Sequence, residues 1–543
     1  MSSTTFQDFQ TPILASWLND VDASTYQGQL DDGTTNASID KYLPVGSGAV
    51  ATTVQAKLRE SVSVTGYDTL QHAVDTGKDV FIPAGATITS GVVTITTQGQ
   101  KIYGTGSSSI IQPLVAGAHL FNVQAAYVNI CDLRLNGIET DATNSNFAIY
   151  TAAAAVAQYL RVERVHFSGT DASHGFNNAV KFDDGCNQGS VLNCYVERLW
   201  GGVNSGKGYG VLIGNATGCR VIGNRFIATT TAGAEDANAR GRHAVYPSSG
   251  ASYTVVSNNY MEGFLREGIS QDSASGQPIC YYNIYSNNTL KGCAASVANT
   301  SSGSIGIYRQ SIGAVISGNT IQGSGQRGIT LDSLISVQPL DTVISGNTVL
   351  YSGAAGILLN SASRAVITGN NVYESGQLSV GSYPNIYLLS DGSTVCDDIL
   401  VVGNNSAGPT KTRSAFTVNP TLSGPTNVRL MGNKFMPCQS FTLELNGVNG
   451  IEIDGRLQFL FTAVSYGPIA NGAAYTGPLT LTGASQGDIA TASHTSNTDG
   501  CAVAVQVSTT NTGVLSILNN SGGSKTIASG NLRVDVWRRN APL

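Results

Sequence analysis

A short phrase returns along this chain: an apolar pair, a small residue, Asn and another apolar residue, as in VISGNTI at 315–321 and VISGNTV at 343–349. Related versions begin at 221, 255, 284, 366, 400 and 429, so that Asn224, Asn259, Asn288, Asn319, Asn347, Asn370, Asn404 and Asn433 align. The steps between them are 35, 29, 31, 28, 23, 34 and 29 residues. A fixed phrase at irregular steps predicts a solenoid, because each coil must return to one strand position but is free to bulge elsewhere. The Asn column reads as scaffold: Asn tolerates the left-handed conformation of a bend, and amides can hydrogen-bond from coil to coil about 4.8 Å apart.

A second phrase lies between the first: NAVKFD at 178–183, YGVLIG at 209–214, HAVYPS at 243–248, EGISQD at 267–272, IGIYRQ at 305–310, RGITLD at 327–332, AGILLN at 355–360 and PNIYLL at 384–389. Two strand phrases per period predict an all-β, right-handed parallel β-helix. Placing the third residue of each phrase inside stacks Val180, Val211, Val245, Ile269, Ile307, Ile329, Ile357 and Ile386. Alternation then turns Lys181, Leu212, Tyr246, Ser270, Tyr308, Thr330, Leu358 and Tyr387 outward.

Composition agrees with a turn-rich β protein: charged residues are 12% of 543, and Gly numbers 63. The formal net charge of −6 argues against a nucleic-acid partner, which would need a basic stripe. No basic segment followed by an apolar stretch opens the chain, so no secretory signal is expected, and no apolar run is long enough to insert into a membrane. The nine Cys lack CxxC spacing and read as buried reduced thiols.

Four regions are expected. Residues 1–48 combine aromatic anchors (FQDFQTPILASWLNDV) with a polar linker. Residues 49–66 place Val50, Val54, Lys57, Leu58 and Val62 at largely helical spacing, a neck helix too slight to stand alone. Residues 67–456 form the β-helix, its open end capped by a short helix at 68–76 and the strand DVFIP. Residues 457–543 read as short strands joined by Gly, Asn and Ser turns, a β-sandwich-like domain.

This layout resembles a bacteriophage tailspike over nearly the whole chain. The most specific part is the neck phrase ATTVQAKLRESVSV at 51–64. Similar tailspikes follow it with an Asp-Phe-Gly-Ala phrase; here Thr65, Gly66, Tyr67 and Asp68 lead straight to the helix. The resemblance implies a homotrimer in the phage tail, made in host cytoplasm and joined to the tail or an adaptor protein through residues 1–48. It also implies binding, and usually depolymerisation, of a bacterial surface polysaccharide, whether capsule, exopolysaccharide or O-antigen.

Cleaving a glycan requires charged and aromatic groups on an outward face, and this charge-poor chain concentrates them between 235 and 332. Glu235, Asp236, Arg240, Arg242, His243 and Tyr246 come first, then Arg266, Glu267 and Asp272, then Tyr308 with Arg309, then Arg327 with Asp332; Tyr387 extends the aromatic set. Two chemistries fit. In β-elimination Arg242 or Arg240 neutralises a uronate while His243 and Tyr246 exchange protons. In hydrolysis paired carboxylates, Asp272 and Asp332, would stand two coils apart with Gln310 between them, about 9–10 Å and near the inverting distance of about 6.5–9.5 Å. The lyase is preferred, because a compact Arg-His-Tyr group is harder to explain as turn chemistry than isolated Asp residues. A fibre that only binds glycan through Tyr246, Tyr308 and Tyr387 is the non-enzymatic alternative. Arg309 and Gln271 fall at nominally inward positions, which signals a bend or a buried pair. No cofactor is expected; Ca²⁺ is the one ion that Glu235, Asp236 and Glu267 could hold, although their spacing matches no defined ligand loop.

Overall fold

The protein is described here from a computed structural model covering residues 41–42, 52–53 and 60–537, less 141–144, 152–156, 172, 184, 202–206, 229–240, 274–275, 297–300, 334–337, 391–394, 421–425, 446–450, 455 and 499. The recurrent phrases form the coils of a right-handed parallel β-helix. One sheet runs unbroken through 13 parallel strands, from Val93–Ile95 to Phe441–Leu445, and carries the second phrase. The apolar pair before each Asn forms another wall, in which Val256, Tyr285, Ile316, Ile344 and Ile367 stack in register. The apolar residue after each Asn forms a third, stacking Phe226, Met261, Leu290, Ile321 and Val349. All of these side chains are fully buried, so the core is a column of layers, one per coil.

The Asn residues behave as expected of a ladder and refine the expectation of where the bend lies. The Asn319 carboxamide oxygen accepts both the backbone N–H and the side-chain Nδ2 of Asn288, at 2.9 and 3.0 Å, while its own Nδ2 donates to the Tyr285 carbonyl and to Asn347. The same set repeats from Asn224 to Asn433. The left-handed residue is the one before it: Gly223, Asn258, Asn287, Gly318, Gly346, Gly369, Gly403 and Gly432 all have positive φ. This explains the small residue in the phrase, since only Gly and Asn take that conformation at little cost.

Two sequence expectations are corrected. Ser61–Ser63 is a strand pairing with Asp79–Phe81, followed by a turn at Val64–Gly66, so the end of the predicted neck helix belongs to the first coil. The run SVSV alternates, and pairing to the next coil outweighs the helical spacing of Val62. Thr52–Thr53 also pairs as a strand, with Lys41–Tyr42; Val50, Val54, Lys57 and Leu58 lie outside the described residues. The capping helix is present at Leu70–Asp75, with Thr69 as N-cap, and buries Leu70, Ala73 and Val74 over the open end.

The second correction is one of register. Ile305, not Ile307, stands in the inward column between Ile269 and Ile329. The segment SIGIY offers two Ile residues two positions apart, and a slip of two preserves which face is buried, so alternation alone could not choose. Tyr308 therefore moves from beside Ser270 to beside Asp272.

At the far end, Arg456–Ile469 turns back antiparallel on Ile451–Ile453 and ends the coils. It sheets with Lys525–Trp537 and Ile489–His494, and a second antiparallel sheet joins Ala474–Thr480, Thr512–Asn519 and Cys501–Thr509. Leu457, Phe459, Leu515, Ile517, Leu532 and Val534 pack between them as a separate core, the sandwich anticipated from the sequence. All nine cysteines are free, seven of them buried.

Candidate functional site

The strands of the long sheet start with a bulge that strict alternation does not foresee. In each phrase two consecutive residues face the core: Ala244 with Val245, Gly268 with Ile269, Gly328 with Ile329. A Cβ on Gly268 would lie 2.6 Å from Leu290 and 3.2 Å from the Cys293 sulfur, and one on Gly328 would lie 2.4 Å from Val349. The first inward residue must therefore be small. Its consequence is that the residue before it, Tyr209, His243, Glu267 or Arg327, turns outward although its parity is inward. His243 and Glu267 become neighbours on successive coils, because Val245 pairs with Ile269.

Around them lies a polar cleft of about 230 Å³ lined by Arg242, His243, Tyr246, Arg266, Glu267, Ser270, Asp272, Ser301, Ser302, Tyr308 and Arg309. The His243 Nδ1 and a Glu267 carboxylate oxygen approach to 3.0 Å, off the axis of a linear hydrogen bond. The other Glu267 oxygen accepts the Tyr308 hydroxyl at 2.6 Å. Tyr308 reaches it from a neighbouring column only because Gly306 lies beneath its ring, where a Cβ would be 2.4 Å from the phenol. His243 clusters with Tyr209 and Tyr246, the three rings lying mutually near-parallel with centroids 5.5, 5.0 and 5.2 Å apart.

Burial sets the protonation states. It opposes the imidazolium and pulls the His243 pKa well down, against the pull of Glu267, so the ring is neutral at pH 7. Burial also opposes the Glu267 carboxylate, but His243, Arg266 and Tyr308 outweigh it and keep the group ionised. With the carboxylate beside Nδ1, the proton is assigned there and Nε2 is left basic. Burial likewise raises Tyr246, whose phenol keeps its proton, and raises Asp272 despite Arg309 at 3.6 Å.

One further property separates this cleft from the rest of the surface. Among the described residues, every charged or imidazole side chain with a buried polar atom lacking a hydrogen bond lies here: Arg242 Nε, His243 Nδ1, Glu267, Asp272 and Arg309 Nε. Buried polar groups are normally satisfied, and an unsatisfied group costs about 1–3 kcal/mol. Two pairs among them face each other, His243 with Glu267 at 3.0 Å and Asp272 with Arg309 at 3.6 Å, so buried charge is concentrated in this cleft.

The structure distributes the sequence candidates unevenly. Arg242, His243, Tyr246, Arg266, Glu267, Asp272, Tyr308 and Arg309 meet in the cleft. Asp272, Tyr308 and Asp332 share one column, so Tyr308 and not Gln310 separates the two aspartates. Asp332 is buried, 3.7 Å from Arg327 and bonded by Asn360 at 3.1 Å, and neither it nor Arg327 lines the cleft. Tyr387 stands farther along the sheet, its hydroxyl accepting from Asn419. Glu235, Asp236 and Arg240 lie outside the described residues, and with them the Ca²⁺ grouping. Gln271 is a buried partner of Ser311, Asn283 and Tyr285 within the coil, whereas Arg309 marks a bend at φ 56. Sequence reasoning missed Tyr209, Ser301 and Ser302; the Gly after Tyr209 was the available signal of an outward residue.

A protein-family model described as periplasmic copper-binding protein (NosD) matches residues 187–436, a stretch within the coils. Among the described residues no group of three or more His, Cys, Asp and Glu is placed to hold a metal ion. No curated protein sequence matches. Among solved structures, the Dettilon tailspike protein aligns at 15% identity and a TM-score of 0.57, over 94% of this chain and 99% of that one. A tailspike variant of E. coli bacteriophage HK620, solved with a pentasaccharide, aligns at 13% identity and 0.52, over 95% and 100%. Tailspike protein 3 of bacteriophage CBA120 aligns at 14% and 0.50, over 80% and 68%. The fold is that of the bacteriophage tailspikes. In this chain the long parallel sheet supplies the strands that carry the cleft.

Proposed function

We propose that this chain is a tailspike that binds and depolymerises a bacterial surface polysaccharide in the cleft around His243 and Glu267, by β-elimination at a uronic acid. The observation that carries the reading is the convergence in one cleft of Arg242, Arg266 and Tyr246 on a neutral, carboxylate-oriented histidine. Arg242 and Arg266 would face the uronate carboxylate and, by neutralising it, acidify the adjacent C–H. His243 Nε2 takes that proton, the electron pair forms the new C=C bond, and the bond to the leaving oxygen breaks. The Tyr246 hydroxyl protonates the departing oxygen, and the proton on His243 returns to the phenolate through solvent. Tyr308 and Glu267 hold the histidine and do not exchange protons with the sugar. The same reading takes the active spike to be a homotrimer, joined to the virion through residues 1–48.

One observation favours hydrolysis as a second reading. Asp272 is raised and Glu267 is held ionised within one cleft, and carboxyl groups pushed apart in this way can serve as acid and base. Ultraviolet absorbance during digestion separates the two, because only elimination creates a conjugated unsaturated uronate. Shortened chains with no rise in absorbance reject the lyase, and intact chains reject both enzymes in favour of a binding fibre.

A further inference from the structure

One corner of the β-helix, just before the strand that precedes each ladder Asn, is left-handed in coil after coil. The backbone N–H of each corner residue donates to the carbonyl immediately before the next corner residue, in an unbroken series from Gly99 to Arg364. Glycine fills this position at Gly99, Gly218 and Gly313, aspartate at Asp341 and Asp398, and longer side chains at Gln188 and Arg364. Gly and Asp suit positive φ, whereas longer side chains adopt it at a cost. Four coils place tyrosine there, in two adjacent pairs: Tyr127 and Tyr159 at φ 61 and 59, then Tyr253 and Tyr282 at φ 54 and 52. A bulky aromatic in this conformation is strained, and strain kept where glycine would relieve it points to a use for the side chain.

The second pair lies on the coils that build the cleft. Tyr253 follows the strand His243–Ser248, and Tyr281 and Tyr282 follow Ile269–Ser273, so the two coils that supply His243 and Glu267 also supply these rings. The strand Cys280–Tyr281 pairs with Ser311–Ile312, which begins two residues after Arg309 of the cleft wall. Tyr253, Tyr281 and Tyr282 are 56, 37 and 52% exposed. Their rings gather at 5.6 and 6.2 Å, and Gly313 leaves room for Tyr282, since a Cβ there would meet its ring at 2.4 Å. The other pair, Tyr127 and Tyr159, stacks at 4.6 Å with rings 4° from parallel.

The geometry points to Tyr253, Tyr281 and Tyr282 as a second saccharide-binding site, continuous with the cleft around the corner of the rod, that takes pyranose rings of the same glycan on its aromatic faces. An open aromatic face offers a sugar ring an apolar surface, and the phenol at its edge offers a hydrogen bond. This deepens the proposed function, since it rests on the cleft acting on a polysaccharide. It adds a surface that holds the chain next to the bond to be broken and raises the effective concentration of that bond.

The test exploits the strain. Tyr253→Gly and Tyr282→Gly remove the rings and place in the corner the residue its backbone prefers. Both substitutions, made together in the full chain carrying Glu267→Gln to stop turnover, are compared with Glu267→Gln alone. The probes are alginate, polygalacturonate and a panel of purified bacterial capsular polysaccharides, measured by affinity electrophoresis. The inference expects a polysaccharide retained by the Glu267→Gln protein to bind at least tenfold more weakly to the triple variant, with an unchanged or higher unfolding temperature and unchanged sedimentation. Equal binding overturns the site and leaves the cleft reading intact. A lower unfolding temperature assigns the rings to structure, and a changed oligomer assigns them to a contact between copies; either overturns the inference. If neither protein retains any probe and the parent chain shortens none, the cleft reading falls together with this one.

Discussion

Glu267 joins two groups of the cleft through its two oxygens, one beside His243 and the other accepting Tyr308, and in the proposed reaction it orients the histidine. Glu267→Gln keeps the shape but removes the charge that fixes the imidazole tautomer. Cleavage should fall by about 10²–10⁴-fold, measured as the initial rate of chain shortening with circular dichroism unchanged. Asp332→Asn, buried beside Arg327 and away from the cleft, should leave that rate within a few fold. Both groups of the dyad have depressed pKa values in the folded chain, so both make acid destabilising. His243 is buried neutral, and the unfolded imidazole begins to bind a proton near its ordinary 6.5. The Glu267 contribution is complete above its ordinary 4.5 and is lost as the pH falls below it. The unfolding temperature should therefore decline as pH is lowered through 6.5 and more steeply below 4.5, and His243→Gln should remove the upper part of that decline.

At the scale of the element, the Asn ladder and the bulge make opposite demands on side chains. Asn319→Ala would strand the Asn288 N–H and the Tyr285 carbonyl in the core, at about 1–3 kcal/mol per group. Its unfolding temperature should drop well below that of the parent chain. Gly346 precedes a ladder Asn at φ 61 with open space around its missing Cβ, so conformation alone decides there. Gly346→Asn should be nearly neutral, as Asn258 and Asn287 show at the same position, whereas Gly346→Val should lose stability; paired melting curves test this. The bulge also explains why the site was only partly legible. The phrases EGIS and HAVY displayed Glu267 and His243 and the outward patch included both, although strict alternation from Ile269 and Val245 gives no reason for them to face out. Only the crowding of Gly268 against Leu290 and Cys293 shows that the small second residue faces the core and turns its predecessor out.

Across the whole molecule, the solenoid has two ends to close. Leu70, Ala73 and Val74 cover one, and Arg456–Ile469 ends the other by reversing direction against Ile451–Ile453. Deleting residues 457–543 should expose strand edges and the apolar layer near Leu443 and Ile453, giving aggregation detectable by sedimentation. The repeat phrases by themselves determined the β-helix, the ladder and the coils from which the cleft is built, because a residue recurring every coil must satisfy the same hydrogen bonds and the same packing each time. Register within a coil was another matter. Ile305 and Ile307 are equivalent to a pattern of period two, and whether Tyr308 meets Ser270 or Asp272 depends on which of them enters the core. The dyad of His243 and Glu267 likewise belongs to no single phrase, since it forms where two coils stack and a bulge turns both side chains outward. Contacts across coils fix such pairings, and a linear sequence carries no direct record of them.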